Sequence, residues 1–180
     1  MSPPLPDIIT RFDDTVDGWF DQIRHHKVAN RVFYAASEAG NFSMIWHASG
    51  IAQTMLGRTT RRDAIALSAA LGVESLLVNQ GIKRLFRRER PTHDGDRPHA
   101  LRQPTTSSFP SGHASAACCA AILLSDRQPA LRPLWWTMAA LVSTSRIHVR
   151  IHHASDVVGG AVVGTAIGLG VRTIVRSLNG

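Results

Sequence analysis

The sequence predicts an all-α protein, a multi-pass transmembrane helical bundle of about five membrane helices preceded by an N-terminal amphipathic helix. Three observations predict it. Five stretches poor in charge follow one another between residues 40 and 171, their connectors are short except for 83–110, and no β alternation of useful length interrupts them. At 180 residues the chain is long enough for a domain with a real core. We expect two parts: an N-terminal amphipathic segment over 1–39 and a helical-bundle domain over 40–180.

Taken in order, residues 7–38 alternate apolar and charged positions at helical spacing. Ile8, Ile9, Phe12, Val16, Trp19, Phe20 and Ile23 stand against Asp13, Asp14, Asp17 and Asp21, so this stretch reads as an amphipathic helix. It could pack on a soluble core or lie in a membrane interface, with His25, His26, Lys27 and Arg31 near lipid headgroups. The charge-poor stretches are 40–57, 64–82 (broken by Glu74), 111–125, 133–145 and 157–171. None is a clean run of about 20 apolar residues, the bilayer-spanning length, and the mean hydropathy of −0.03 is modest. Two details favour a membrane bundle. Gly160, Gly164 and Gly168 recur every four residues in the last stretch, a small-residue stripe that lets helices approach closely in lipid. With five crossings, moreover, the segment before Gly40, the connector 83–110 and the turn near 146–155 all fall at one end, and these carry the unusual polar residues.

The charge balance selects the partner class. Lys and Arg number 20 against 13 Asp and Glu, and the pI is about 10.9, so anionic partners are expected: nucleic acid, a membrane surface or a phosphate-bearing substrate. A single Tyr, no RNA-binding aromatic motif and no zinc-finger spacing argue against nucleic acid. Cys118 and Cys119 are adjacent in an Ala-rich run, where a disulfide would be strained, so they read as buried small residues. The first seven residues, Met-Ser-Pro-Pro-Leu-Pro-Asp, lack the basic and apolar regions of a secretory signal. That leaves a cytoplasmic protein or one inserted through its own helices, and the apolar stretches favour a multi-pass protein of the cell membrane.

Three polar constellations stand out. Lys83-Arg84-Leu85-Phe86-Arg87-Arg88-Glu89-Arg90-Pro91, if it continues the preceding helix, lines up Lys83, Arg87 and Arg90, and Pro91 marks the end. Taken alone it is a solvated or headgroup-facing basic cluster. Ser107-Ser108-Phe109-Pro110-Ser111-Gly112-His113 enters Ala114-Ser115-Ala116-Ala117 and reads as a helix start, where free N–H groups favour an anion. An ordinary capped helix would leave His113 unexplained. Residues 145–156, Ser-Arg-Ile-His-Val-Arg-Ile-His-His-Ala-Ser-Asp, would put His148, His152 and Asp156 on one face if helical. A carboxylate one turn beyond a histidine can hold the imidazole in one tautomer and free its other nitrogen as base or nucleophile. The rival is a metal site of His148, His152 and Asp156, which the neighbouring arginines would disfavour.

Together these residues resemble a known family. Lys83 with six residues before Arg90-Pro91, Pro110-Ser111-Gly112-His113, and Ser145-Arg146 with five residues before His152 and three before Asp156 match the three-part signature of the type 2 phosphatidic acid phosphatase and vanadium haloperoxidase superfamily. The parts match in order and spacing over residues 83–156. The resemblance implies that His152 attacks phosphorus and forms a phosphohistidine while Asp156 orients it. His113 would protonate the leaving alcohol and then activate water. Lys83, Arg90, Arg146, the Ser111 hydroxyl and the Gly112 N–H would hold the phosphoryl oxygens, with no metal and no cofactor. His148, His153, Arg87, Arg97 and Arg150 fall outside the signature and are expected around the site or at lipid headgroups.

The function expected is a membrane phosphatase acting on a lipid phosphate or diphosphate, of the phosphatidic acid, phosphatidylglycerol phosphate or polyprenyl phosphate type. Its partners would be that lipid and the membrane, with no nucleic acid. Two alternatives are carried: a protein that only binds anionic lipid, for which His113 and the His152–Asp156 pair would be idle, and a vanadate-dependent haloperoxidase, for which the chain is short.

Overall fold

The computed structural model describes residues 7–92, 98–99 and 101–177. Among these every regular element is helical: α1 Asp7–Arg24, α2 Lys27–Ala39, α3 Met44–Met55, α4 Arg61–Leu76, α5 Lys83–Leu85, α6 Gly112–Arg127, α7 Arg132–His148 and α8 Ala154–Ser177. A π-helical turn, Leu77–Ile82, joins α4 to α5. All five charge-poor stretches are therefore helical.

Helix α6 is the axis of the bundle. Its run Ala114-Ser-Ala-Ala-Cys-Cys-Ala-Ala-Ile122 is buried throughout, because side chains this small let other helices close on every side. Trp46 of α3, Leu71 of α4, and Trp135 and Val142 of α7 fill the space around it. Cys118 and Cys119 are buried, free thiols. The glycine stripe of α8 lies directly on α6. A Cβ on Gly164 would collide with the Ser115 carbonyl, and one on Gly160 with that of Ser111; this contact fixes the separation of the two helices that begin at Gly112 and Ala154. At the far end, Arg127 meets Asp63 at 3.0 Å and Arg176 pairs with Asp126, so the α3–α4 and α6–α7 connectors and the end of α8 gather there.

Two helices, Arg61–Leu85 with 25 residues and Ala154–Ser177 with 24, are long and apolar enough to cross a membrane. Helices α3, α6 and α7 have 12, 16 and 17 residues.

Three expectations need correction. Residues 7–38 form two helices, not one: the chain turns at His25–His26. On α1, Asp13, Val16, Phe20 and Arg24 face the bundle, whereas Ile8, Phe12, Trp19 and Ile23 face outward at 70%, 44%, 62% and 38% exposure. Second, the helix through Lys83 ends at Leu85; Phe86 is extended (φ −121°, ψ 141°), so Arg87 and Arg90 leave the helical face that Lys83 occupies. Third, 145–156 is not continuous helix. α7 ends at His148, the Ile151 and His152 N–H groups both donate to the Arg146 carbonyl, and Arg150 takes a left-handed φ of 50°. Five non-helical residues, 149–153, reverse the chain, so His148, His152 and Asp156 do not share a face.

Candidate active site

The reversal aims His152 inward. Its ring is held on both sides: Nδ1 lies 3.5 Å from Asp156 Oδ2 and 3.4 Å from Ser108 Oγ, while Nε2 lies 3.2 Å from Arg90 Nη1. A guanidinium only donates, so Nε2 accepts and the ring proton sits on Nδ1. Asp156, with no exposed surface, is held rigidly in turn. Its Oδ2 accepts from Ser108 Oγ at 2.5 Å and from the His153 N–H at 2.9 Å, and its Oδ1 accepts from Arg88 at 2.6 Å. Burial above all, with the charges of Arg90 and Arg146, holds the His152 imidazole down at about 3 although its bond to Asp156 pulls upward. Its uncharged form is therefore the resting one.

The non-helical stretches 86–92 and 101–111 carry the partners. Arg90 is fixed by the carbonyls of Ile151, Thr106 and Ser107 at 3.0, 3.0 and 3.1 Å, which turns a flexible side chain into a placed fork. The second stretch closes through a cis Phe109–Pro110 peptide into Ser111, the N-cap of α6. The Ser111 hydroxyl accepts from the Ala114 N–H, and its own N–H donates to the Asp156 carbonyl at 2.9 Å. This last bond ties the start of α6 to the start of α8.

His113, in the first turn of α6, has Nε2 at 3.2 Å from the Ser37 carbonyl of α2. Arg146 bonds the Ser37 hydroxyl. Gly40 is required here: a Cβ would stand 2.6 Å from His113 Cδ2 and 2.8 Å from Val142 Cγ1. Lys83 is delivered inward by the π turn, which widens the helix just before it.

A pocket of about 510 Å³ results, lined by Lys83, Gly112, His113, Arg146 and His152 among others. Arg90 reaches His152 from a neighbouring cleft that it shares with Lys83, and Ser111 and Asp156 are buried next to the lining residues Gly112 and His152. Of the residues outside the signature, His148 turns away, stacked on Phe33 at 4.4 Å and bonded to Asn30 at 2.7 Å. The metal rival His148–His152–Asp156 thus does not converge, and among the described residues no cluster of three His, Cys, Asp or Glu could hold an ion. Arg150 pairs with Asp21 at 2.7 Å, Arg87 lines the neighbouring cleft, and Arg97 lies outside the described residues.

Sequence reasoning missed four neighbours of the site. Ser108 and Arg88 sit inside the motifs but carry no periodic signal that assigns them. Asp13 is one acid among several on α1. Glu74, 2% exposed and lining the pocket, had a readable signal: the one carboxylate in the charge-poor stretch 64–82.

The fold and site define a class: a helical bundle whose helix start and helix turn converge on a cationic pocket holding a carboxylate-oriented histidine, suited to a phosphoryl group. Within that class the chain belongs to the PAP2 superfamily, whose family model matches residues 63–179. Over 125 residues it is 39% identical to decaprenylphosphoryl-5-phosphoribose phosphatase of Mycobacterium tuberculosis, a match covering 69% of this chain and 66% of the relative, just under two thirds. Its fold is similar to that of a transmembrane PAP2-type phosphatidylglycerolphosphate phosphatase from Bacillus subtilis (TM-score 0.73, 22% identity, covering 96% of this chain and 88% of that one). Aquifex aeolicus LpxE is also similar in fold (TM-score 0.68, 23% identity, covering 87% and 93%).

Proposed function

We propose that the protein is a membrane phosphatase that hydrolyses a lipid phosphate through a phosphohistidine on His152, without a metal. The single observation that carries the reading is His152 itself, buried, with Nδ1 committed to Asp156 and Ser108 and Nε2 facing Arg90. Nε2 attacks phosphorus and the bond to the leaving oxygen breaks. As the ring becomes cationic, Asp156 stabilises its Nδ1–H. His113 enters this step as the imidazolium: its Nε2–H stays on the Ser37 carbonyl, and its Nδ1–H passes to the departing alcohol, leaving the ring neutral. In the second step His113 takes a proton from water, the new oxygen joins phosphorus, and His152 leaves as the neutral ring. Lys83, Arg90, Arg146, the Ser111 hydroxyl and the Gly112 N–H hold the three spectator oxygens, where transition-state charge collects.

The substrate we infer is a polyprenyl-linked or glycerol-linked phosphate. The name of the mycobacterial relative favours a polyprenyl-linked phosphosugar; phosphatidic acid, phosphatidylglycerol phosphate and polyprenyl diphosphate are the comparison set. We further propose five crossings, by α3, α4–α5, α6, α7 and α8, with residues 40–180 as the catalytic bundle and 1–39 lying in the membrane interface on the site side. The outward apolar stripe of α1 supports that placement.

Incubation with a lipid phosphate radiolabelled at phosphorus tests the chemistry. An acid-labile, base-stable phosphoprotein should form in wild type and be absent in His152→Ala. Equal labelling of both removes His152 from the mechanism.

A further inference from the structure

Helix α1 lies outside the segment matched to the family, yet it grips the turn that carries His152 from both ends. Arg24 donates to the last carbonyls of α7, those of Ile147 and His148, at 2.8 and 2.9 Å. Asp13 receives the Ser155 N–H at 2.7 Å and the Ser155 hydroxyl at 2.8 Å, at the first turn of α8. A cation thus caps a helix C-terminus and an anion a helix N-terminus, each the favourable sign. Asp13 is only 4% exposed, unlike Asp14, and a buried carboxylate is tolerated only when fully partnered.

Its third partner makes the connection to the site. Arg88 places Nη2 at 2.6 Å from Asp13 Oδ2 and Nη1 at 2.6 Å from Asp156 Oδ1. One guanidinium therefore bridges two buried carboxylates, and one of these orients His152. With Arg88 bound to Asp156 alone, the pair would be neutral and a poor acceptor for Nδ1–H. With Asp13 sharing the guanidinium, Asp156 retains net negative charge for the imidazolium that develops. We propose that Asp13 is a positioning residue for His152 and Asp156, acting through Arg88, so that α1 is a working part of the active site. This rests on the phosphatase reading above.

The test is a double-mutant cycle on purified full-length protein, with phosphatidic acid and decaprenyl phosphate in detergent micelles as probes. Asp13→Asn is nearly isosteric. It should lower kcat about tenfold or more while KM stays within about threefold, a split that a loosened fold would not give. In an Asp156→Asn background Asp13→Asn should cost nothing further, because its route is already cut. If Asp13→Asn fails to fold, Arg88→Lys, which keeps the charge but cannot span both carboxylates, should give the same split. Unchanged kcat in either variant, or effects that multiply in the double variant, overturns the proposal. A wild type inactive on both lipids counts against the phosphatase reading instead. In that event nitrogen-15 histidine NMR still decides: His152 should carry its proton on Nδ1 in wild type and lose that preference in Asp13→Asn. Identical ring signals in the two proteins overturn the proposal.

Discussion

His152 lies 3.2 Å from a guanidinium and 3.5 Å from a carboxylate, with only 2% of its own surface exposed. Those three facts set its chemistry. A ring held at about 3 is uncharged at pH values well above that, so Nε2 stays unprotonated across the neutral range. In an NMR titration from about pH 8 down to about pH 4.5 the His152 ring should stay neutral; a protonation midpoint near the ordinary 6.5 would contradict the site as described. His152→Ala and His113→Ala should each lower turnover at least about a hundredfold, the usual scale for losing a nucleophile or a general acid, as a phosphate-release assay would read. Of the eight residues that the family resemblance singles out, Lys83, Gly112, His113, Arg146 and His152 line one pocket; they were legible in the sequence through that resemblance. Arg88, Ser108 and Asp13 were not. They join the site through a non-periodic loop and a contact spanning 75 positions, and no local pattern encodes either.

At the scale of elements, the α6–α8 contact decides whether the site exists. Four-residue spacing made the glycine stripe readable, and the stripe does pack closely. What it packs against was not readable, since any small-residue helix would serve. At Gly164 the obstacle to a side chain is the Ser115 main chain, which cannot rotate aside. Gly164→Ala should therefore destabilise the fold by about 1–3 kcal/mol, the cost of overpacking, seen as a lower thermal midpoint in detergent. Gly72→Ala, where a Cβ meets nothing within 4 Å, is the control and should leave the midpoint near wild type. The two helix breaks, at Leu85 and at His148, escaped the sequence reading for one reason. Residues 83–90 and 145–156 both keep helix-compatible composition. Past Leu85 tertiary bonds hold the chain off the helix, Arg88 and Arg90 to the turn opposite; past His148 a local reversal does, the Ile151 and His152 N–H groups both donating to the Arg146 carbonyl.

For the whole molecule, the bundle places its ionisable machinery at one end and the Arg127–Asp63 and Arg176–Asp126 pairs at the other. Five crossings would put Arg58 and Ala130 on one side of the bilayer and Glu89 on the other. With Cys118 and Cys119 replaced by Ser, an impermeant thiol reagent should label Arg58→Cys and Ala130→Cys from the same face and Glu89→Cys from the opposite one. Labelling of all three from one face would refute the topology. The sequence conveyed the all-helical class and the end-on gathering of polar residues, because charge-poor segments and short connectors leave few other arrangements. It did not convey that residues 7–39 fold as two helices against the site, since their pattern fits an interface helix as well.

Most direct is phosphate release by detergent-purified protein from phosphatidic acid, phosphatidylglycerol phosphate, a polyprenyl diphosphate and a polyprenyl-linked phosphosugar. A water-soluble phosphomonoester, excess chelator and His152→Ala run alongside. We predict release from a lipid substrate in preference to the soluble ester, undiminished by chelator and lost in His152→Ala. Equal release by His152→Ala, or activity that chelator abolishes and zinc restores, would contradict a metal-free phosphohistidine mechanism.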